Sequence, residues 1–190
     1  MPKPLVGIFV GGEGRRMGGV AKGMLHAPGS DETLVTRLER VAREALGEVD
    51  VVLVGRAEAY ASVGLPSLAD EPPGIGPLGG LVALLSEARR RQAPFALALA
   101  CDLPFVSPDL VARLASFAPD ATALAPRQAG RWMPLCARYG AGAERVAREL
   151  AGEGQRSLQP VLERSGTREL PLESDEELAD WDEPGDLAQS

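Results

Sequence analysis

The feature that most constrains this chain is a pair of neighbours. A continuous apolar run, Leu5-Val-Gly-Ile-Phe-Val10, is followed at once by a loop holding six glycines in thirteen residues, positions 11 to 23. The run reads as a strand buried on both faces. Such a strand belongs in a sheet covered by helices on either side. A loop at the carboxyl end of such a strand is where open parallel sheets bind their ligands. The 190 residues are enough for one domain with its own core. Aromatic residues make up 4%, so that core must be built mostly from Ala, Val and Leu.

The rest of the chain keeps the same alternation. Ser30 or Asp31 is positioned to cap a helix through Leu46, with Gly47 as its stop. Val49 to Val54 reads as a second buried strand and Arg56 to Ser62 as a short helix. A second loop rich in Gly and Pro, Asp70-Glu-Pro-Pro-Gly-Ile-Gly-Pro-Leu-Gly-Gly80, opens a helix to about Arg91. Phe95 to Ala100 is a third buried strand, ending in Cys101-Asp102-Leu-Pro104. Ser107-Pro108 starts another helix, with Ser as cap and Pro in the first turn. Asp120 to Ala125 and Met133 to Tyr139 read as strands, Ala141 to Leu150 and Ser157 to Arg164 as helices, and Thr167 to Pro171 as a last short strand. The first three strands are joined by helices or long crossovers, which makes them parallel. The expected class is therefore α/β, with a mostly parallel central sheet and no internal domain boundary.

Charge narrows the possible functions. The net charge is −7, but eight acids and no base fall within positions 173 to 186. The remainder carries 20 bases against 19 acids, so it is nearly neutral. That balance offers no basic face for duplex nucleic acid and no polybasic patch for a membrane. The first apolar run, six residues long, is too short for a secretory signal core, and no apolar stretch approaches a bilayer span. Cys101 and Cys136 form no disulfide framework, which fits a reducing compartment. The location expected from these features is the cytoplasm.

Two strand ends carry the chemistry. The first loop offers unobstructed backbone N–H groups together with Arg15, Arg16 and Lys22, opposed by Glu13. Such a loop cradles phosphate oxygens, or is a flexible surface loop with solvated bases. It lacks the Gly-Lys-Ser/Thr ending of a P-loop. It also has Met17 where the dinucleotide fingerprint needs its third Gly, and the second strand ends in Val54-Gly55-Arg56 without an acid for a ribose. Asp102 stands at the end of the third strand, where it is either a Mg²⁺ ligand beside bound phosphates or a turn-capping aspartate. The single histidine, His26, reads as a loop or strand-edge residue.

These stretches resemble a known family. Phe9-Val-Gly-Gly-Glu-Gly-Arg-Arg-Met-Gly-Gly-Val-Ala-Lys-Gly-Met-Leu25 is similar to the nucleotide loop of the MobA-like nucleotidyltransferases. That loop has the form Leu-Ala-Gly-Gly, three variable residues, Arg-Met-Gly, two variable residues and Asp-Lys. The loop from Asp70 to Gly80, the Cys101-Asp-Leu-Pro-Phe105 strand end, Pro134-Leu135, and Asp180-Trp-Asp-Glu-Pro-Gly-Asp-Leu187 follow the family's order and spacing over essentially the whole chain. The resemblance is nearest to the family's molybdenum cofactor guanylyltransferases. It implies one Rossmann-like three-layer domain over residues 1–190, of the nucleotide-diphospho-sugar transferase type.

The resemblance also implies roles. Phe9, Val10, Gly11, Gly12 and Gly14 would hold the nucleotide through the backbone, Arg16 and Lys22 the triphosphate, and Asp70 the nucleoside. Asp102 would hold Mg²⁺, with Asp182 as a second metal ligand or an acceptor contact. Arg16, Lys22 and Asp102 form the implied catalytic set, and Arg156, Asp180 and Asp182 the acceptor site. Arg156 also reads as an ordinary helix-start arginine. The implied reaction moves GMP from GTP to the phosphate of molybdopterin, releasing pyrophosphate, in a monomer or weak homo-oligomer. Alternatives are a relative that uses CTP or another phosphorylated acceptor, and a nucleotide-binding module with impaired catalysis. The chain departs from the family pattern at several places. Ala21 replaces the Asp before Lys22, Asp180 and Asp182 stand where Asn is common, Glu183 replaces Thr, and Leu53 stands where some relatives carry a polar residue.

Overall fold

The computed structural model describes residues 2–10, 21–55 and 58–179. Its main sheet contains β1 (Leu5–Phe9), β2 (Asp50–Val54), β3 (Ser67–Leu68), β4 (Ala96–Ala100), β5 (Ala123–Ala125), β8 (Cys136–Tyr139) and β9 (Arg168–Glu169). Between β5 and β8, β6 (Arg127–Gln128) and β7 (Arg131–Trp132) form a separate small hairpin. The spatial order of the main sheet is β3-β2-β1-β4-β8-β5-β9. β1 pairs in parallel with β2 and β4, β2 with β3, and β5 with β9. The antiparallel member is β8, set between β4 and β5.

Helices cover both faces. They are α1 (Leu34–Leu46), α2 (Pro77–Arg90), α3 (Pro108–Ser116), α4 (Ala141–Gly152) and α5 (Gln159–Arg164). Alternate side chains of a strand point to opposite faces. Leu5 and Phe9 of β1 therefore enter the core with α2, α4 and α5, while Val6 and Ile8 enter the core with α1 and α3. β4 does the same, with Ala96 and Ala98 toward the first core and Leu97 and Leu99 toward the second. The expected three layers and mostly parallel sheet are thus present.

Local chemistry explains the element boundaries. α1 starts at Leu34, not after Ser30 or Asp31. The Thr33 hydroxyl accepts from Thr36 N–H at 3.3 Å, while the Ser30 hydroxyl accepts from Glu32 N–H in the turn before it. α1 ends where Gly47 adopts φ +65°, as a C-terminal glycine should. α3 begins as read, with Ser107 accepting from Leu110 N–H at 3.1 Å and Pro108 in the first turn. The short helix expected from Arg56 is a 3₁₀ turn over Glu58–Val63, with Arg56 itself outside the described residues. The strand expected from Met133 is shorter and begins at Cys136, because Met133 N–H donates to the Pro126 carbonyl beyond the β6–β7 hairpin and a turn brings Cys136 N–H to the Met133 carbonyl.

Arg138 on β8 is 2% exposed. Its guanidinium donates to the carbonyls of Leu114, Ala115 and Phe117 at 3.2, 3.0 and 3.0 Å, and to that of Ala118. These include carbonyls that the end of α3 cannot satisfy within the helix. Burial pushes the Arg138 guanidinium below its ordinary pKa.

Candidate active site

The carboxyl ends of β1 and β4 lie side by side, because Phe9 is the register partner of Ala100. Cys101 N–H donates to the Phe9 carbonyl at 3.1 Å, and Val10 N–H donates to the Val54 carbonyl at 3.0 Å. The Val10 N–H is thus engaged within the sheet. The chain re-enters the described structure at Ala21, before a 3₁₀ turn over Lys22–Met24. There the Lys22 ammonium lies 3.4 Å from Asp102 Oδ2, joining two side chains 22% and 28% exposed. Two residues nominated from separate strand ends therefore meet.

The floor beneath them is tightly built. Gly23 N–H donates to the Tyr60 hydroxyl at 3.3 Å. Cys101 and Cys136 are both free and buried. Burial pushes the Cys101 thiol up to about 12, so it stays protonated. His26 is exposed and forms an isolated bridge with Thr33 in the loop before α1, within the loop-or-strand-edge reading of its sequence position.

Asp70 approaches from the other side, against the first turn of α2. A Cβ placed on Gly80 would lie 2.8 Å from Val54 Cγ1, 3.1 Å from Phe9 Cε1 and 3.4 Å from Asp70 Oδ1. The absence of a side chain at Gly80 is what lets β1, β2 and the Asp70 carboxylate converge on one helix end. Helix N-termini carry partial positive charge, which favours a carboxylate or a phosphate nearby. The loop after Asp70 is anchored at several points. Glu71 N–H donates to the Gly79 carbonyl at 3.0 Å, and Arg148 of α4 donates to the Glu71 carboxylate at 3.3 Å. Arg156 donates to the Gly74 carbonyl at 3.3 Å, so it joins the Asp70 loop.

The structure thus brings together Lys22 with Asp102, Phe9 with Asp70 around Gly80, and Arg156 with the Asp70 loop. Gly11, Gly12, Gly14, Arg16, Asp180 and Asp182 lie outside the described residues. Sequence reasoning quoted Gly80 within a motif without assigning it a packing role, and it missed Tyr60, for which the sequence carries no signal.

The oxygen donors suit a hard cation. Asp102 presents a half-buried carboxylate at a strand end, the donor type that Mg²⁺ takes alongside phosphate oxygens. Among the described residues, one group of acids has ligand atoms within 4.8 Å of one another, namely Asp109, Glu173 and Glu177. Arg113 lies in that group, donating to Asp109 at 2.8 Å and to Glu177. Among the described residues no helix is long and apolar enough to cross a membrane.

Comparisons with known proteins agree with this architecture. The family model described as MobA-like NTP transferase domain matches residues 6–169. A Pseudomonas putida protein named molybdenum cofactor guanylyltransferase is 31% identical over 190 residues, covering 98% of this chain and 97% of that protein. An Opitutus terrae protein named probable molybdenum cofactor guanylyltransferase is 34% identical over 186 residues, covering 94% and 90%. The crystal structure of molybdopterin-guanine dinucleotide biosynthesis protein A from Archaeoglobus fulgidus superposes with a TM-score of 0.74 at 25% identity, covering 97% of this chain and 95% of that one.

Proposed function

The chain belongs to the MobA-like NTP transferase family, and on that premise we propose that residues 1–190 form one guanylyltransferase domain moving GMP from GTP to the phosphate of molybdopterin. The observation that carries this reading is the Lys22–Asp102 pair at the joined carboxyl ends of β1 and β4. The names of the similar proteins support guanine as the base and molybdopterin as the acceptor.

In this reading a phosphate oxygen of the acceptor attacks the α-phosphorus of GTP. A new P–O bond forms, the bond from the α-phosphorus to the bridging oxygen breaks, and pyrophosphate leaves with that electron pair. The attacking oxygen is already anionic near neutral pH, so no general base is required. Rate then comes from positioning and from neutralising the triphosphate. Lys22 and Arg16 supply positive charge to the phosphates. Asp70, fixed against α2, orients the nucleoside. Gly11, Gly12 and Gly14 present backbone N–H groups to the nucleotide. Asp102 would hold Mg²⁺, with Asp182 as a second ligand, and the ion would supply further charge neutralisation. Arg156, Asp180 and Asp182 are assigned to binding the acceptor.

The test is thermal stability with each of the four NTPs, with and without Mg²⁺, followed by guanylyl transfer to molybdopterin. A ligand at 100 times its dissociation constant adds about 2.7 kcal/mol. That moves the melting point by several degrees in a domain of this size. Selective, Mg²⁺-dependent stabilisation by GTP and release of pyrophosphate are expected. Selective stabilisation by CTP would replace guanylyl with cytidylyl transfer. Indifference to all four NTPs would overturn the reading.

A further inference from the structure

Lys22 and Asp102 are 80 residues apart in the chain, yet their contact needs both backbones held in place. Each segment is held locally by backbone bonds, Leu25 N–H donating to the Lys22 carbonyl at 3.0 Å and Cys101 N–H to the Phe9 carbonyl at 3.1 Å. Lys22 opens a three-residue 3₁₀ turn with no side-chain cap, and Asp102 lies two residues past the end of β4. One buried side chain touches the segments of both. The Tyr60 hydroxyl accepts from Gly23 N–H at 3.3 Å, and the Tyr60 side chain packs in one apolar core with Cys101. Gly23 directly follows Lys22, and Cys101 directly precedes Asp102. The fit is close. A Cβ placed on Gly23 would lie 2.8 Å from Tyr60 Cε1 and 3.2 Å from Cys101 Cβ.

We propose that Tyr60 is a positioning residue, whose buried hydroxyl and ring fix the backbones of Lys22 and Asp102 in the relative position the transferred guanylyl group requires. The proposal rests on the functional reading above. Its physical basis is the cost of the hydroxyl. Tyr60 is 4% exposed and packs in the same apolar core as Val35, Val10 and Cys101. Placing a hydroxyl there is unfavourable unless it is hydrogen-bonded, and Phe would fill the same volume without that penalty. The hydroxyl instead stands where the two site-bearing segments meet. Burial pushes the phenol up to about 12, so it is neutral near neutral pH.

Tyr60→Phe tests this, because it keeps the ring and removes the oxygen. Thr167→Val is the reference: it removes another part-buried hydroxyl, which donates to the Leu162 carbonyl at 2.6 Å just past α5. Tyr60→Phe is expected to lower kcat about tenfold, the scale set by small misplacements of reacting groups. KM for GTP should stay within twofold, the pattern of an interaction expressed in the transition state. Faster hydrogen exchange at the Gly23 amide should accompany the loss. Thr167→Val should lose comparable thermal stability and keep its kcat. If the parent transfers GMP and Tyr60→Phe matches it within twofold in kcat, the assignment is wrong while the functional reading stands. If the parent transfers nothing and gains no stability from any NTP with Mg²⁺, the functional reading fails and this assignment fails with it.

Discussion

Two polar clusters in this molecule use the same ingredients to different ends. At Lys22–Asp102, one ammonium meets one carboxylate at 3.4 Å. At Arg113, one guanidinium meets two of three clustered carboxylates and also donates to the Pro171 carbonyl at 2.9 Å. Glu177 further accepts from Glu173 N–H at 2.9 Å. The second cluster is therefore closed on itself, and it pins the segment after β9 to α3. The first is loose. Its separation is well beyond the roughly 2.7–2.9 Å usual for a charge-assisted bond, which suits the proposed entry of a polyphosphate between the two groups. It also stands at the carboxyl ends of two parallel strands, where the fold gathers its loops. The number of acids does not make a site; what already satisfies them, and where the sheet places them, does.

The sharpest way to break this contrast is Asp102→Ala. Loss of the carboxylate should lower guanylyl transfer by about 10³-fold, the scale of removing one preorganised electrostatic group. The circular dichroism spectrum and melting point should stay near those of the parent. Near-parental turnover would dissolve the distinction between the clusters.

Arg113→Ala probes the other cluster. It leaves three carboxylates facing one another without their cation, which should cost about 2 kcal/mol in urea unfolding. GTP turnover should be unchanged, and a drop in kcat would mean that this cluster serves the reaction.

A third cluster, Glu87 with Arg90 and Arg91, extends the closed type to α2. The bond from Arg90, followed by that from Arg91, holds the Glu87 carboxyl at about 2, below its ordinary 4.5. A depressed carboxyl pKa stabilises the fold fully above the unfolded value and loses that contribution as pH falls toward the folded one. Glu87→Gln should therefore lose about 1 kcal/mol near neutral pH. The difference from the parent should shrink below pH 4.5 and vanish near pH 2. A deficit that persists at the acid end would mean that packing, not charge, links these residues.

The smallest effect is expected from Ala21→Asp, which sets a second acid beside Lys22 and makes the loose cluster more like the closed ones. Ala21 gives the Lys22–Met24 turn no side-chain cap, so the new carboxylate can cap the turn at some cost to the charge offered to phosphate. Turnover should change by less than about threefold, or about 0.6 kcal/mol. A gain of a hundredfold would instead show that the natural chain is catalytically impaired.

Much of this was legible in residues whose neighbours in sequence decide their fate. The β1 run, the Ser107-Pro108 start of α3 and the Gly47 stop of α1 follow from local pattern and capping. Lys22 and Asp102 were legible singly, because each follows a strand that can be recognised on its own. Their pairing was not, because it depends on β1 and β4 lying side by side. The β6–β7 hairpin was missed because its turn uses Ala129 and Gly130, both at positive φ, where Asn-Gly or Asp-Gly would have announced it. The reversal of β8 was hidden for another reason. Cys136–Tyr139 is buried throughout, so its pattern carries no direction.

That reversed strand makes Arg138 a safeguard against threading errors. A strand buried on both faces, flanked by partners of opposite sense, has little besides its side chains to fix its alignment. Sliding β8 by one residue would turn Arg138 from the layer of α1 and α3 into that of α2, α4 and α5. The guanidinium would then leave the four carbonyls around the end of α3 that it now satisfies. A stranded buried charge is among the costliest faults a core can hold. The misaligned sheet is thus rejected by one residue, and Leu135, whose carbonyl accepts from Ala100 N–H at 2.7 Å beside Asp102, is delivered to the right place.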